Sequence, residues 1–119
     1  MQKNMKQNNR KIGNCYEQAA AYYLEQSGYE IIERNYRCRI GEIDLIARDG
    51  EYLVFCEVKF RKSKNKGDSL EAVHRKKQKT IIRCAQWYLA EHNLQDLPCR
   101  FDVICISGRN ICLVKNAFM

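Results

Sequence analysis

The sequence predicts an α/β fold: a mixed β-sheet flanked by helices, with elements in the order α-β-β-β-α-β-β. Three observations lead there. Apolar residues recur at helical spacing within 12–27 and 81–89, short β-branched or aromatic runs fill the segments between and after them, and Asp49-Gly50 is a strong hairpin signal joining two of those runs. A length of 119 residues fits one domain that buries roughly two thirds of its unfolded surface.

Residues 1–11 are polar and basic and have no apolar core, so they read as a flexible N-terminal segment and not as a secretory signal. Residues 12–119 are then a single domain. The first helix spans 12–27, where Ile12, Cys15, Tyr16, Ala19, Ala20, Tyr23 and Leu24 form one stripe and Gly28 suits the C′ position. Glu17 falls at the border of that stripe, and pattern alone makes it a flanking surface acid. Segments 29–37, 41–48 and 52–61 read as strands, the last two joined at Asp49-Gly50. Residues 62–69 form a polar loop. A second helix extends from about residue 70 to residue 91, with Asp68 and Glu71 spaced as a capping box. Its apolar stripe (Ile81, Cys84, Ala85, Tyr88, Leu89) is clear only in the second half, so the helix alternatively starts in the cationic run 75–79. Such a start sets each cation in the first turn against the macrodipole by about 0.3–1 kcal/mol, which is easier to explain if an anion binds there. Two final strands, 101–106 and 111–114, flank the turn Ser107-Gly108-Arg109-Asn110.

The longest apolar runs, such as 53–56 and 103–106, are far too short to cross a bilayer, so a cytoplasmic protein without membrane contact is expected. Seven cysteines (15, 38, 56, 84, 99, 105, 112) form no Cys-x-x-Cys pair and are accompanied by only two histidines. Cys56, Cys105 and Cys112 lie in β-branched runs, where a reduced thiol behaves as a small hydrophobe; this favours buried reduced cysteines over disulfides or a zinc site. Net charge is +7, and the segment 59–79 carries nine Lys or Arg against only Asp68 and Glu71. That block is either a solvated loop and helix face or a surface for backbone phosphates.

The hairpin concentrates the chemistry. Asp44, Glu57 and Lys59 sit inside otherwise apolar segments, where a carboxylate costs free energy unless it is paired or holds a metal. With Asp49-Gly50 as a two-residue turn, Arg48 pairs with Glu51, Asp44 lies across from Phe55 and Glu42 from Glu57. Alternation then puts Asp44 and Glu57 on one face as diagonal neighbours, with Cβ atoms roughly 7 Å apart. Two such carboxylates suit Mg²⁺ or Mn²⁺, which keep waters and accept phosphate oxygens. Lys59 points to the same face and can orient a water or stabilise charge on a scissile phosphate. The plain alternative is that Lys59 only neutralises Glu57 or Asp44 on a solvated sheet.

The spacing from Asp44 to Glu57-Val58-Lys59 resembles the Asp…(Asp/Glu)-x-Lys signature of the restriction-endonuclease-like nuclease superfamily. More specifically, the chain is similar to the YraN family of bacterial proteins. The elements that carry this are Gly13 and Glu17, Gly28-Tyr29, Arg34-Asn35-Tyr36, Gly41-Glu42-Ile43-Asp44-Leu45-Ile46, Phe55-Cys56-Glu57-Val58-Lys59, Arg100-Phe101-Asp102-Val103 and Asn116-Ala117-Phe118. The resemblance implies a restriction-endonuclease-like core related to archaeal Holliday junction resolvases. It implies that Asp44 and Glu57 hold the metal with the Val58 carbonyl, that Glu17 completes the site directly or through water, and that Lys59 acts near the attacking water. Because the resolvases act as dimers, it also raises a homodimer, although no apolar seam marks one. Three departures stand out: Ile43 replaces the signature proline, Cys56 places an oxidisable thiol where valine is common, and a second glycine before Glu17 is absent.

The function expected is therefore a metal-dependent endonuclease that hydrolyses DNA phosphodiesters, on branched or repair-type structures, by single-step attack of water on phosphorus. Arg61, Lys62, Lys64, Lys66, Arg75, Lys76, Lys77 and Lys79 would hold the backbone phosphates. One alternative is a non-catalytic nucleic-acid-binding module with a vestigial nuclease site. Another is a protein-interaction domain whose hairpin acids are structural.

Overall fold

The computed structural model describes residues 4–61 and 74–118, with side chains described for 15–60 and 74–118. Helix α1 (Asn4–Gln26) leads into strands β1 (Glu30–Cys38), β2 (Gly41–Asp49) and β3 (Tyr52–Arg61); helix α2 (Arg75–Glu91) precedes β4 (Cys99–Ser107) and β5 (Asn110–Val114). The element order is the one the sequence predicts. The strands form one sheet in the order β1-β2-β3-β4-β5. Every neighbouring pair is antiparallel except β3 and β4, which run parallel and are connected through α2.

A parallel pair needs a crossover, and the crossover helix covers one face of the sheet. On that face α2 buries Ile81, Cys84, Ala85 and Tyr88 against Tyr36, Ile46, Phe55, Phe101 and Val103. On the opposite face α1 buries Ala20, Ala21 and Leu24 against Leu45, Val54, Cys56 and Ile104. The central strands β3 and β4 are therefore covered on both sides, which explains their nearly continuous apolar runs.

Helix α1 begins at Asn4, upstream of the amphipathic stripe that starts at Ile12. It ends as expected: Gly28 takes φ +95°, and the amides of Gly28 and Tyr29 bond back to the carbonyls of Glu25 and Leu24, closing a Schellman motif. For α2 the structure selects the later start, at Arg75, with His74 as N-cap and no acid in the first turn. The Asp68–Glu71 capping box lies outside the described residues.

The hairpin register departs from expectation. Asp49 pairs with Tyr52 and Arg48 with Leu53, so the turn residues are Gly50 and Glu51. Asp49 stays in its strand because its carboxylate receives the Arg100 guanidinium at 2.8 Å, while Gly50 supplies the positive φ. The change is two residues in pairing, so the sheet faces are preserved and the partners are not. No described cysteine is in a disulfide, and Cys56, Cys84 and Cys105 are buried, whereas Cys112, expected inside, is exposed. Cys38 Sγ and Cys84 Sγ approach to 3.1 Å where the end of β1 meets α2.

Candidate metal centre

Beyond the pair Leu45–Cys56 the ladder between β2 and β3 stops. The same register carried one step further sets Asp44 directly opposite Glu57, where the sequence reading placed them diagonally. The free donor at this point, the Val58 amide, gives its hydrogen bond to Asp44 Oδ2 at 2.9 Å. In a strand the carbonyl of a residue leaves on the same side as its N–H, so the Val58 carbonyl faces this gap as well. Across from Asp44 on the other side, β1 is irregular: Arg34 pairs with Leu45 and Tyr36 with Ile43, and the intervening Asn35 takes φ +54°. Ile43 and Leu45, two residues apart, consequently pack into cores on opposite faces. Asp44 sits where the strand turns over.

Glu57 is 5% exposed and lies beside Asp44. Burial, reinforced by the neighbouring Glu57, pushes the Asp44 pKa up to about 8. Glu57 Oε2 is enclosed and receives no directed hydrogen bond; the Lys77 ammonium stands 3.2 Å from it as an ion pair. Burial disfavours the Lys77 charge, but Glu57 and Asp44 outweigh burial and hold its pKa above the ordinary lysine value. Lys59 is shifted the other way, lowered by burial and then by the neighbouring Lys77. Glu17 approaches from α1, half-buried, with its pKa raised by burial and by Asp44 and opposed by a hydrogen bond from the Asn35 side chain.

Asp44, Glu57, Lys59 and Glu17 are thus assembled at one end of the sheet. Among the described residues, however, no three His, Cys, Asp or Glu side chains close to metal-ligand distances. The donor set is an Asp44–Glu57 pair whose enclosed Glu57 Oε2 is in ion contact with Lys77, and Glu17 stands outside it. That set fits Mg²⁺ or Mn²⁺, whose shells are usually completed by water and phosphate oxygens and rarely by a full protein cage.

The basic residues divide. Arg75, Lys76 and Lys79 are exposed on the first turns of α2. Lys77, expected with them among the phosphate contacts, is also exposed, and its ammonium reaches Glu57 Oε2 at 3.2 Å. Lys62, Lys64, Lys66 and the Arg61 side chain lie outside the described residues. A cavity of about 430 Å³ adjoins Lys77, lined by Gly41, Glu42, His74, Lys76, Thr80 and Ile81. Glu42, placed opposite Glu57 by the sequence reading, pairs with Arg37 at 3.3 Å on the surface. The Cys56 thiol is fully buried and its pKa strongly raised by burial, so it is protected from the oxidation its neighbourhood suggested.

Sequence reasoning missed two features here, the Lys77–Glu57 pair and Asn35. It also missed a second charged cluster at the turn end of the hairpin. Asp102, fully buried, accepts from Arg100 Nε and Nη2, the Tyr29 hydroxyl and the Asn116 amide, all at 2.9 Å. Every lone-pair direction there is used, which marks a structural ion cluster. The quoted Arg100-Phe101-Asp102-Val103 motif was the only signal for it.

The fold and site define a small mixed α/β protein with a five-stranded sheet and a two-carboxylate, two-lysine cluster at one sheet end. The model of the uncharacterised protein family UPF0102 matches residues 16–106, and the chain belongs to that family. It is 48% identical over 112 residues to a UPF0102 protein of Lachnoclostridium phytofermentans, covering 92% of this chain and 95% of the relative. It is 50% identical over 114 residues to a UPF0102 protein of Symbiobacterium thermophilum, covering 92% and 97% respectively.

Proposed function

We propose that this protein is a metal-dependent endonuclease of the restriction-endonuclease-like class, hydrolysing phosphodiester bonds of DNA in branched or repair-type structures. The observation that carries the reading is the buried Asp44–Glu57 carboxylate pair, set beside Lys59, a lysine of lowered pKa. Asp44 and Glu57 would hold the ion, with the Val58 carbonyl facing the same gap and Glu17 reaching it through water. A divalent cation seated there supplies Lewis-acid charge and lowers the pKa of water. Hydrolysis adds water across a P–O bond, so one proton must leave the attacking water and one must reach the departing oxygen. Lys59, which loses its proton more readily than an ordinary lysine, accepts or orients the first. Arg75, Lys76 and Lys79 supply positive charge along the exposed start of α2 for neighbouring phosphates.

A second reading, a non-catalytic nucleic-acid-binding module, is favoured by one observation: Lys77 already neutralises Glu57 without a metal. Incubating wild type and Lys59→Ala with junction, flap and linear DNA in Mg²⁺ or Mn²⁺ separates the two. The expected result is cutting by wild type and a loss of about 100-fold or more in the variant. Equal cutting by both proteins would sink the role of Lys59. Salt-sensitive binding with no cutting by either would establish the binding module.

A further inference from the structure

The sulfurs of Cys38 and Cys84 stand 3.1 Å apart, although the two residues are 46 positions apart in the chain. Cys38 ends β1, and Cys84 lies in the middle of α2. The local backbone explains the approach. Cys38 pairs with Gly41 across the β1–β2 ladder, and a Cβ on Gly41 would lie 3.5 Å from Cys84 Sγ, so the missing side chain leaves room for the thiol. Cys56 and Cys99, by contrast, direct their thiols at the carbonyls of Glu57 and Leu97. The pair is also asymmetric: Cys84 is fully buried, whereas Cys38 is only half-buried and is the sulfur that a small oxidant meets first. Burial, followed by the Cys38 contact, pushes the Cys84 thiol up to about 12, which makes Cys84 a poor first nucleophile.

We propose that Cys38 and Cys84 form a redox clasp: hydrogen peroxide joins them in a reversible disulfide that ties the end of β1 to α2. The Cys38 thiolate attacks one peroxide oxygen, the O–O bond breaks, and the hydroxide that leaves takes up the proton Cys38 released. The Cys84 sulfur then attacks the Cys38 sulfenic acid. The S–S bond forms as the S–O bond breaks, and the departing oxygen carries the Cys84 proton away as water. Two thiols are oxidised by two electrons, and one peroxide becomes two waters. A dithiol reductant reverses the step by exchange. Sulfurs in a disulfide are about 2.05 Å apart, so small side-chain adjustments close the remaining gap. The bond would hold the crossover helix on the sheet and restrict the unfolded chain between the two cysteines. This inference stands whether or not the carboxylate pair binds a metal.

The test uses the full-length chain, reduced, freed of reductant and treated with an equimolar amount of hydrogen peroxide, its remaining thiols then blocked with N-ethylmaleimide in denaturant. Mass spectrometry of wild type should show two fewer alkylated thiols and, after proteolysis, a Cys38–Cys84 linked peptide that a dithiol removes. The oxidised protein should melt about 5–15 °C above its reduced form, a comparison that needs no variant. Cys38→Ser, a change at a half-buried position, should give neither the linked peptide nor the shift. A linkage to another cysteine, conversion of Cys38 to a sulfinic or sulfonic acid with Cys84 still alkylated, or no reaction at either residue would overturn the pairing. A linked peptide with an unchanged or lowered melting temperature would overturn the clasp.

Discussion

The raised pKa of Asp44 links stability to pH in the direction opposite to that of a salt-bridged acid. The folded state raises the Asp44 pKa above its unfolded value, so the folded protein holds a proton that the unfolded chain releases. Stability is therefore greatest below the ordinary carboxylate range and is lost as pH rises toward the raised folded value, with a slope of at most about 1.4 kcal/mol per pH unit. Asp44→Asn should abolish this decline: its amide can still accept from Val58 and donate to Glu57 without titrating. Thermal denaturation in EDTA across pH 5–9 (a window of order the shift itself) should show the variant equal to or more stable than wild type at the alkaline end. A large loss of stability there would assign Asp44 a structural role. The acids themselves were legible in the sequence because a charge inside an apolar run is a local anomaly. Lys77 was not, because five Lys or Arg lie within residues 75–83 and only the packed helix distinguishes the one that faces Glu57.

Elements were legible wherever their signal was periodic or local, as in the apolar stripes, the Gly28 stop and the hairpin. The hairpin register was misplaced by two because the deciding contact, Arg100 on Asp49, comes from a strand far along the chain. No short-range rule contains it. The seam between β2 and α2 is equally non-local and equally specific. A Cβ on Gly41 would lie 2.7 Å from Thr80 Cγ2 and 3.5 Å from Cys84 Sγ, so the sheet and helix approach as closely as glycine permits. Gly41→Ala should destabilise the protein by about 1–3 kcal/mol through overpacking. Thr80→Ser deletes the clashing methyl but keeps the hydroxyl that bonds the Lys76 carbonyl, and should recover much of that loss in the double variant. Urea denaturation of the four proteins of this cycle measures the coupling, and simple additivity would show that the contact does not limit the approach.

At the scale of the molecule, the sheet separates two ion clusters with different purposes. Asp102, Arg100, Tyr29 and Asp49 close on themselves with all groups satisfied, whereas the enclosed Glu57 oxygen is met by the half-exposed Lys77 ammonium as an ion pair. Among the described residues, Arg75, Lys76 and Lys79 lie outside both clusters, exposed at the start of α2. Counterion release then predicts which residues matter to a polyanion. Lys76→Ala and Lys79→Ala should each reduce the slope of log affinity for duplex DNA against log salt by about 0.9. Lys77→Ala should leave that slope nearly unchanged, since its charge is already committed to Glu57. Fluorescence anisotropy over a salt series distinguishes these outcomes, and equal effects from all three would return Lys77 to the phosphate surface. Net charge alone announced an electropositive segment, but its division between surface and site required the fold.

The parallel pairing of β3 with β4 also gives the molecule a history. The meander β1-β2-β3 forms from neighbouring chain, whereas β4 reaches β3 only after α2 has crossed the sheet, and contacts of long sequence separation form slowly. On that ordering the two acids would meet before the lysine that compensates one of them, which refolding kinetics test. Lys77→Met should accordingly leave the refolding rate almost unchanged and accelerate unfolding, a partition that stopped-flow chevrons resolve. A variant that mainly slowed refolding would place α2 in the folding nucleus.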